Sequence, residues 1–235
     1  MRNFKVLLIV GLLLASVSTV YAQDDPCMEK GGQINPETGA CEISVMMTVG
    51  YPVAVMGNDF AEQTIDQYLL DLRQNWFSNL TVFAWSPGPM SLYVVTDEYD
   101  FSDTVISFKF TISDYTGGAH PNTFYSTLAL DLEQNRVLTL DDLFQPGVDP
   151  LATIAPLVMT DLERQLTEMG ALEGNWIEDG TGTNPANYQA WAIDANSLYF
   201  FFSPYQIAAY AVGGFTVQIP LTDLSGILAA PFNGQ

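Results

Sequence analysis

The middle of this chain constrains the fold most. From Val105 to Ser113 the side chains alternate, with Ile106, Phe108, Phe110 and Ile112 set against Val105, Ser107, Lys109 and Thr111. That is the two-residue period of a strand with unlike faces. A second β-prone run, Phe124 to Leu132, follows after only a short interval. The interval contains Tyr115-Thr116-Gly117-Gly118-Ala119-His120-Pro121-Asn122, which holds the single histidine of the protein. Adjacent glycines permit backbone angles that other residues avoid, and Pro121 fixes its own φ. A loop so built either turns a corner or presents His120, and the residues alone leave both readings open.

The rest of the chain supplies strands and two long helices. Ile43 to Val49 reads as a first strand ending at Tyr51-Pro52. Asn58 or Asp59 caps a predicted helix reaching about Asn79, with Ala61, Ile65, Tyr68, Leu69, Leu72 and Trp76 on one apolar stripe. Ser86-Pro87-Gly88-Pro89 breaks the chain before a strand over Ser91 to Tyr99. Val137 to Leu140 predicts a strand and Asp141-Asp142-Leu143-Phe144 a helical turn. Asp149-Pro150 then opens a second helix whose buried face is Leu151, Ile154, Val158, Leu162, Leu166 and Met169. Pro156 predicts a delay or kink, and Gly170 an end. Gly174 to Asn187 reads as a loop, and Tyr188 to Ile193 with Ser197 to Ser203 as a hairpin around Ala195-Asn196. A bent connection over Pro204 to Val212, a strand over Phe215 to Ile219 and a short helix over Leu221 to Leu228 finish the fold. The predicted class is α+β, with antiparallel sheets each packed by a long helix in two intimately associated subdomains.

The N-terminus has the pattern of an export signal. Arg2 and Lys5 precede an apolar stretch over Val6 to Ala15, and Val20-Tyr21-Ala22 predicts cleavage between Ala22 and Gln23. The apolar run is short for a membrane span and polar Gln23-Asp24-Asp25 follows it at once, so no stable membrane anchor is expected. The mature protein is expected in a periplasm or outside the cell. Without Arg2 and Lys5 it holds five basic against 27 acidic side chains, a net charge of −22. Such a surface repels nucleic acid and anionic membranes and attracts basic partners. Cys27 and Cys41 are the two cysteines, and Gly31-Gly32 and Pro36-Glu37-Thr38-Gly39 lie between them. In an exported chain this pair predicts a disulfide, stabilising by about 3 kcal/mol.

Little in the chain points to catalysis. Ser113, Asp114 and Asp131 lie near His120 in sequence, but no nucleophile-elbow motif accompanies them. Two cysteines and one distant histidine make a poor zinc set. The acidic stretches around Asp97-Glu98 and over Asp179 to Asn184 lack the spacing of a calcium loop. No cofactor and no metal are expected. Pairs of carboxylates serve glycoside hydrolysis, but with 27 acids in the chain no pair stands out. Tyr205 and Tyr210 leave the Phe200-Phe201-Phe202 strand in a connection, where such aromatics either pack under a loop or recognise a ligand.

Two motifs in order carry a resemblance. Ile106-Ser107-Phe108 leading into Tyr115 to Pro121, then Asp131, Leu138-Thr139-Leu140 and Asp142-Leu143-Phe144, resembles the extracytoplasmic domain of the RsiV anti-sigma factors. Ser203-Pro204-Tyr205-Gln206-Ile207-Ala208-Ala209-Tyr210-Ala211, with Gly213, Val217 and Ile219-Pro220, is similar to that domain's closing motif. The upstream part, with Tyr51-Pro52 and the Asn58 helix, is similar to the companion module of that family, found also in PdaC-type peptidoglycan deacetylases. The resemblance covers about residues 43 to 229. Together with the export signal over 1–22 and the disulfide-closed segment over 23–42 read above, it divides the chain into subdomains over 43–115 and 116–229 and a tail over 230–235.

The function so implied is that of a non-enzymatic binding or sensing protein of the cell envelope. Its implied ligand is a basic cell-wall hydrolase such as lysozyme, or peptidoglycan. The candidate contact residues are Tyr115, Gly117, Gly118, His120, Pro204, Tyr205 and Tyr210. The chain carries no anti-sigma segment and no deacetylase histidine set, so only the binding part of either family is expected. The alternatives are a cell-wall glycan or ester hydrolase using His120 or a carboxylate pair, and a purely structural envelope domain.

Overall fold

A computed structural model describes residues 32–34, 36–37, 41–43, 46–79, 90–116, 118–172 and 174–233. The expected signal peptide and its cleavage point, the expected Cys27–Cys41 pairing and the expected break at Ser86 to Pro89 lie outside the described residues. So do residues 234 and 235 of the expected tail. Among the described residues no helix is long and apolar enough to cross a membrane.

The alternating run folds as expected. β5 (Val105–Tyr115) pairs antiparallel on one side with β4 (Ser91–Asp100) and on the other with β6 (Asn122–Asp131). β7 (Arg136–Leu138) extends β6, and β3 (Met46–Val49) lies beside β4, giving a five-stranded sheet in the order β3-β4-β5-β6-β7. β3 runs parallel to β4, which corrects the expectation of purely antiparallel sheets. The long segment between these two strands lets the chain return to the same end of the sheet before it pairs. The sheet also runs through residue 115, so the expected subdomain boundary falls between two paired strands. Upstream, β1 (Gly32–Ile34) and β2 (Cys41–Ile43) form a separate two-stranded ribbon.

Each face of the large sheet has a distinct partner. Leu92, Val94, Ile106, Phe108, Phe110 and Ile112 share a core with helix α1 (Asp59–Ser78). The expected stripe is present, with Ala61, Ile65 and Trp76 buried and Tyr68, Leu69 and Leu72 partly so. The start of α1 is set locally. Asn58 accepts from the Ala61 amide at 3.0 Å, and Glu62 reaches back to the Gly57 amide at 2.6 Å. The first bond satisfies an N–H that a helix start leaves bare, and the second ties the preceding Gly57 to the first turn.

The other face meets a three-stranded antiparallel sheet, β8 (Trp191–Ile193), β9 (Ser197–Phe202) and β10 (Phe215–Pro220), in the order β10-β9-β8. Helix α2 (Pro150–Glu168) covers the far side of that sheet through Leu151, Ile154, Ala155, Val158, Leu162 and Leu166. Pro156 sits inside α2, which continues through it instead of being delayed. Residues buried on both sides of Pro156, Ile154, Ala155 and Val158, hold the helix on the sheet. Met169 is exposed, against expectation, because α2 ends at Glu168. The chain then leaves through Gly170 at φ +65°, and the Ala171 amide donates to the Leu166 carbonyl at 2.8 Å. This is the Schellman arrangement that favours glycine. Short helices α3 (Trp176–Gly180) and α4 (Leu221–Leu224) complete the set.

Few polar links stitch the two sheets, and they are well placed. The Ser107 hydroxyl, fully buried, accepts from the Ile193 amide at 3.2 Å. The Thr127 hydroxyl accepts from the Trp191 amide at 3.1 Å.

At the β7 edge Arg136 donates to Asp142 at 2.7 Å, and the amide and hydroxyl of Thr139 donate to the same carboxylate at 2.7 Å each. Partial burial opposes ionisation of Asp142, but these bonds from Thr139 and Arg136 outweigh it and hold the carboxyl below its ordinary value. A depressed folded-state pKa contributes stability above the unfolded value and loses it as pH falls through the folded one. Asp142→Asn is therefore expected to cost about 1 kcal/mol near neutral pH, a modest figure because Arg136 is half in solvent. The difference from the parent should shrink to nothing in acid, below the ordinary carboxylate range, as urea melts across pH will read.

Candidate functional site

The two motif loops meet. Tyr115 ends β5 opposite Ser91, half-buried, and the chain then turns through the glycine loop. Gly117 lies outside the described residues. Gly118 is exposed, and a side chain there would meet only the His120 carbonyl at 3.8 Å, an ordinary contact. At the loop's far end the exposed His120 ring stacks on Tyr210, with centroids 4.1 Å apart and planes 17° from parallel. The Pro121 carbonyl joins the two loops by accepting from His120 Nδ1 at 2.8 Å and from the Tyr210 hydroxyl at 2.6 Å. Tyr205 extends the row, its ring 5.3 Å from that of Tyr210. Three rings from loops far apart in sequence thus form one exposed corner.

Tyr205 is held there against its backbone preference. Its φ is +72°, in the left-handed region, while its side chain is 58% exposed. A bulky residue in that region stores strain and persists only when its surroundings fix it. Gln206 does the fixing. Its amide donates to the Ser203 carbonyl at 3.0 Å and its side-chain oxygen accepts from the Ser203 amide at 3.2 Å. Its side-chain nitrogen donates to the carbonyls of Gly180 and Asn187 at 3.2 and 3.0 Å. Pro204 is half-buried in the same turn, and Ile207 and Ala208 anchor it in the core. Since the strain resides in the Cβ, Tyr205→Gly is expected to be more stable than Tyr205→Ala by about 1 kcal/mol, reversing the usual order of the two residues. Thermal melts of the pair check this.

Several supporting residues carry no signal in the sequence. Gly214 lies against the Tyr125 ring, whose Cε2 would be 2.7 Å from any Cβ added there. The Tyr125 amide in turn donates to the Ser203 hydroxyl at 2.9 Å. Lys109 places its ammonium 4.7 Å from the Tyr125 ring centre and 4.9 Å from that of Phe201, with Asp97 at 3.4 Å. Asn187 donates to the carbonyls of Asp179 and Thr181, and the Tyr188 hydroxyl to that of Gly182. The segment read as a plain loop thus holds α3 and a 3-10 turn over Pro185–Tyr188, both supporting the Tyr205 turn.

Among the described residues His120 has no serine hydroxyl or carboxylate as a partner, so no triad is assembled around it. No group of three or more His, Cys, Asp or Glu among the described residues is placed to hold a metal ion. The described cations are engaged internally: Lys109 as above, Arg136 with Asp142, Arg164 with Asp161 and Glu168, and Arg73 over the Phe77 ring. The outward charge is therefore negative.

Known proteins share parts of this chain. Residues 141–222 match the family described as "Protein of unknown function (DUF3298)". A DUF3298-family structure from Pseudomonas aeruginosa PAO1 shares the α+β fold at a TM-score of 0.53 and 16% identity, covering 86% of this chain and 92% of its own. Over 104 residues the chain is 40% identical to Esterase Rv3036c of Mycobacterium tuberculosis, covering 44% of each protein, so it spans less than half of that relative. Over 236 positions it is 25% identical to Immunogenic protein MPT64 of the same organism, covering 97% of this chain and 99% of that one. It is also 25% identical over 128 residues to the Peptidoglycan-N-acetylmuramic acid deacetylase PdaC of Bacillus subtilis, covering 54% of this chain and 27% of the deacetylase. Similarity to PdaC and to DUF3298 proteins thus stands beside the fold.

Proposed function

We propose that this chain is an exported, non-enzymatic binding protein of the cell envelope, and that the His120–Tyr210–Tyr205 corner is its contact surface. The observation that carries the reading is Tyr205, kept exposed in a strained backbone conformation by a half-buried hydrogen-bond network. Exposed aromatic rings held rigidly supply contact area at little entropic cost on binding. The ligand is a basic cell-wall hydrolase such as lysozyme, or peptidoglycan itself. The strongly negative surface favours the first, in the manner of an RsiV-type sensor. Similarity to a protein named as a peptidoglycan deacetylase favours the second. The leader-like N-terminus, with cleavage between Ala22 and Gln23, supports an extracytoplasmic location.

The test is retention of the mature protein on immobilised hen lysozyme and on purified peptidoglycan, each at low and moderate salt. Tyr205→Ala with Tyr210→Ala is expected to weaken retention at least about tenfold, the loss of two anchoring rings. No retention on either support at either salt overturns the proposal.

A second reading has one observation in its favour, the 40% identity over 104 residues to a protein named an esterase. It is a cell-wall ester hydrolase in which His120 acts as base. It requires ester turnover that His120→Ala abolishes with the fold intact.

A further inference from the structure

A cleft of about 440 Å³ opens where β7 ends, between the exposed edge of β6, the start of α2 and the Pro185–Tyr188 turn. Its size is that of a small-molecule site. It is separate from the aromatic corner and shares no residue with it. The floor is apolar and buried, and Leu138, Leu151, Tyr188 and Trp191 contribute to it. The rim is polar and exposed, with Asp141, Asp149 and Gln189 facing the mouth beside Val137. No basic side chain lines the cleft.

Both walls are pinned. Asp141 rides on the turn that Thr139 and Asp142 lock, and Asp149 accepts from the Leu151 amide at 3.1 Å. Across the mouth, Asn184 accepts from the Ala186 amide at 3.1 Å and Gln189 donates to the Pro185 carbonyl at 3.0 Å. Asp141 has no side-chain partner among the described residues, whereas the neighbouring Asp142 is fully engaged with Arg136 and Thr139. The cleft therefore pairs a preformed apolar floor with a carboxylate rim. An anion would meet only like charge, and a neutral alkane would leave that rim unused.

From this arrangement we propose that the cleft binds an alkylammonium group, its aliphatic stem on the floor and its charged head between Asp141 and Asp149. The group belongs either to a free amine or to a lysine side chain of another protein. Titration of the mature protein with butylammonium, and separately with Nα-acetyl-lysine methylamide, is followed by amide NMR.

Saturable shifts are expected around Thr127, Val137, Gln189 and Trp191, with none for butanoate. Asp141→Asn and Asp149→Asn should each weaken binding about tenfold, the loss of one charge-assisted hydrogen bond. Asparagine at 149 can still cap α2, so loss of fold does not explain the effect. Val137→Trp, at an exposed position on the rim, should block binding altogether. Glu98→Gln and Glu163→Gln, far from the cleft, should leave it unchanged. Tighter binding of butylammonium identifies a free amine as the source, and tighter binding of the lysine derivative a protein side chain. Absence of saturable shifts, equal weakening by the distant substitutions, or binding retained in Val137→Trp would each overturn the assignment.

Discussion

Gly180→Ala is expected to destabilise the protein by about 3 kcal/mol, the upper part of the range for forced overpacking. A Cβ at this position would lie far inside van der Waals contact with the Gln206 carbonyl oxygen, and 2.8 Å from Ile207 Cγ2. Neither neighbour can yield easily. The Gln206 backbone is tied to Ser203 and its side chain to Gly180 and Asn187, while Ile207 is buried in the core. Relief therefore requires moving the turn that holds Tyr205. The substitution should lower the urea midpoint and also weaken ligand retention at the aromatic corner, although residue 180 is not part of that surface. Gly118→Ala, in the more conspicuous glycine pair, meets only an ordinary contact and should change stability by less than about 0.5 kcal/mol. A Gly180→Ala protein within 1 kcal/mol of its parent, or a Gly118→Ala protein far below it, would refute this account of how the corner is supported.

That contrast marks where sequence reading runs out. Local chemistry was legible. Asn58 and Asp149-Pro150 announce helix starts because a cap acts within three residues. The Val105 to Ser113 alternation declares a strand because its faces differ. Helical periodicity put Met169 on the buried stripe of α2, but periodicity does not report that the helix has ended. The missing N–H of Pro156 predicts a delay or kink, and burial on both sides carries the helix through it.

The tertiary links were out of reach. Pro121 and Tyr210 are 89 residues apart and share one carbonyl. Nothing local in either loop specifies the other. α3 and the Pro185–Tyr188 turn are too short for periodicity to register, and they depend on Gln206 and Asn187, whose bonds cross between segments. The glycines that sterics require are Gly180, single in the sequence, and Gly214, in a pair outside the His120 loop. The pair that drew attention includes one, Gly118, that is not sterically required. The resemblance set the two loops together as one candidate surface, and the contacts between them come from the structure.

Phe200→Ala is expected to cost about 3–5 kcal/mol, as is Phe108→Ala, and each protein should still unfold in a single transition. Both rings are fully buried, but in different cores. Phe200 packs edge-on to Tyr188 at 5.3 Å in the core beneath α2, and Phe108 lies in the core beneath α1. Two cores invite the expectation of two melting units. β5 argues against it. Val105 belongs to the core of α2, while Ile106, Phe108, Phe110 and Ile112 belong to that of α1. On the same strand, buried Ser107 bonds Ile193, and Lys109 lies over Tyr125 and Phe201. Opening either core therefore strips β5 of packing that the other core needs and leaves the Ile193 amide unpaired. Near-ultraviolet and far-ultraviolet circular dichroism should give coincident transitions for the parent and both variants. If instead Phe200→Ala melts in two steps, with the Phe108 core keeping its parental midpoint, the sheets are separable units and the shared strand does not couple them.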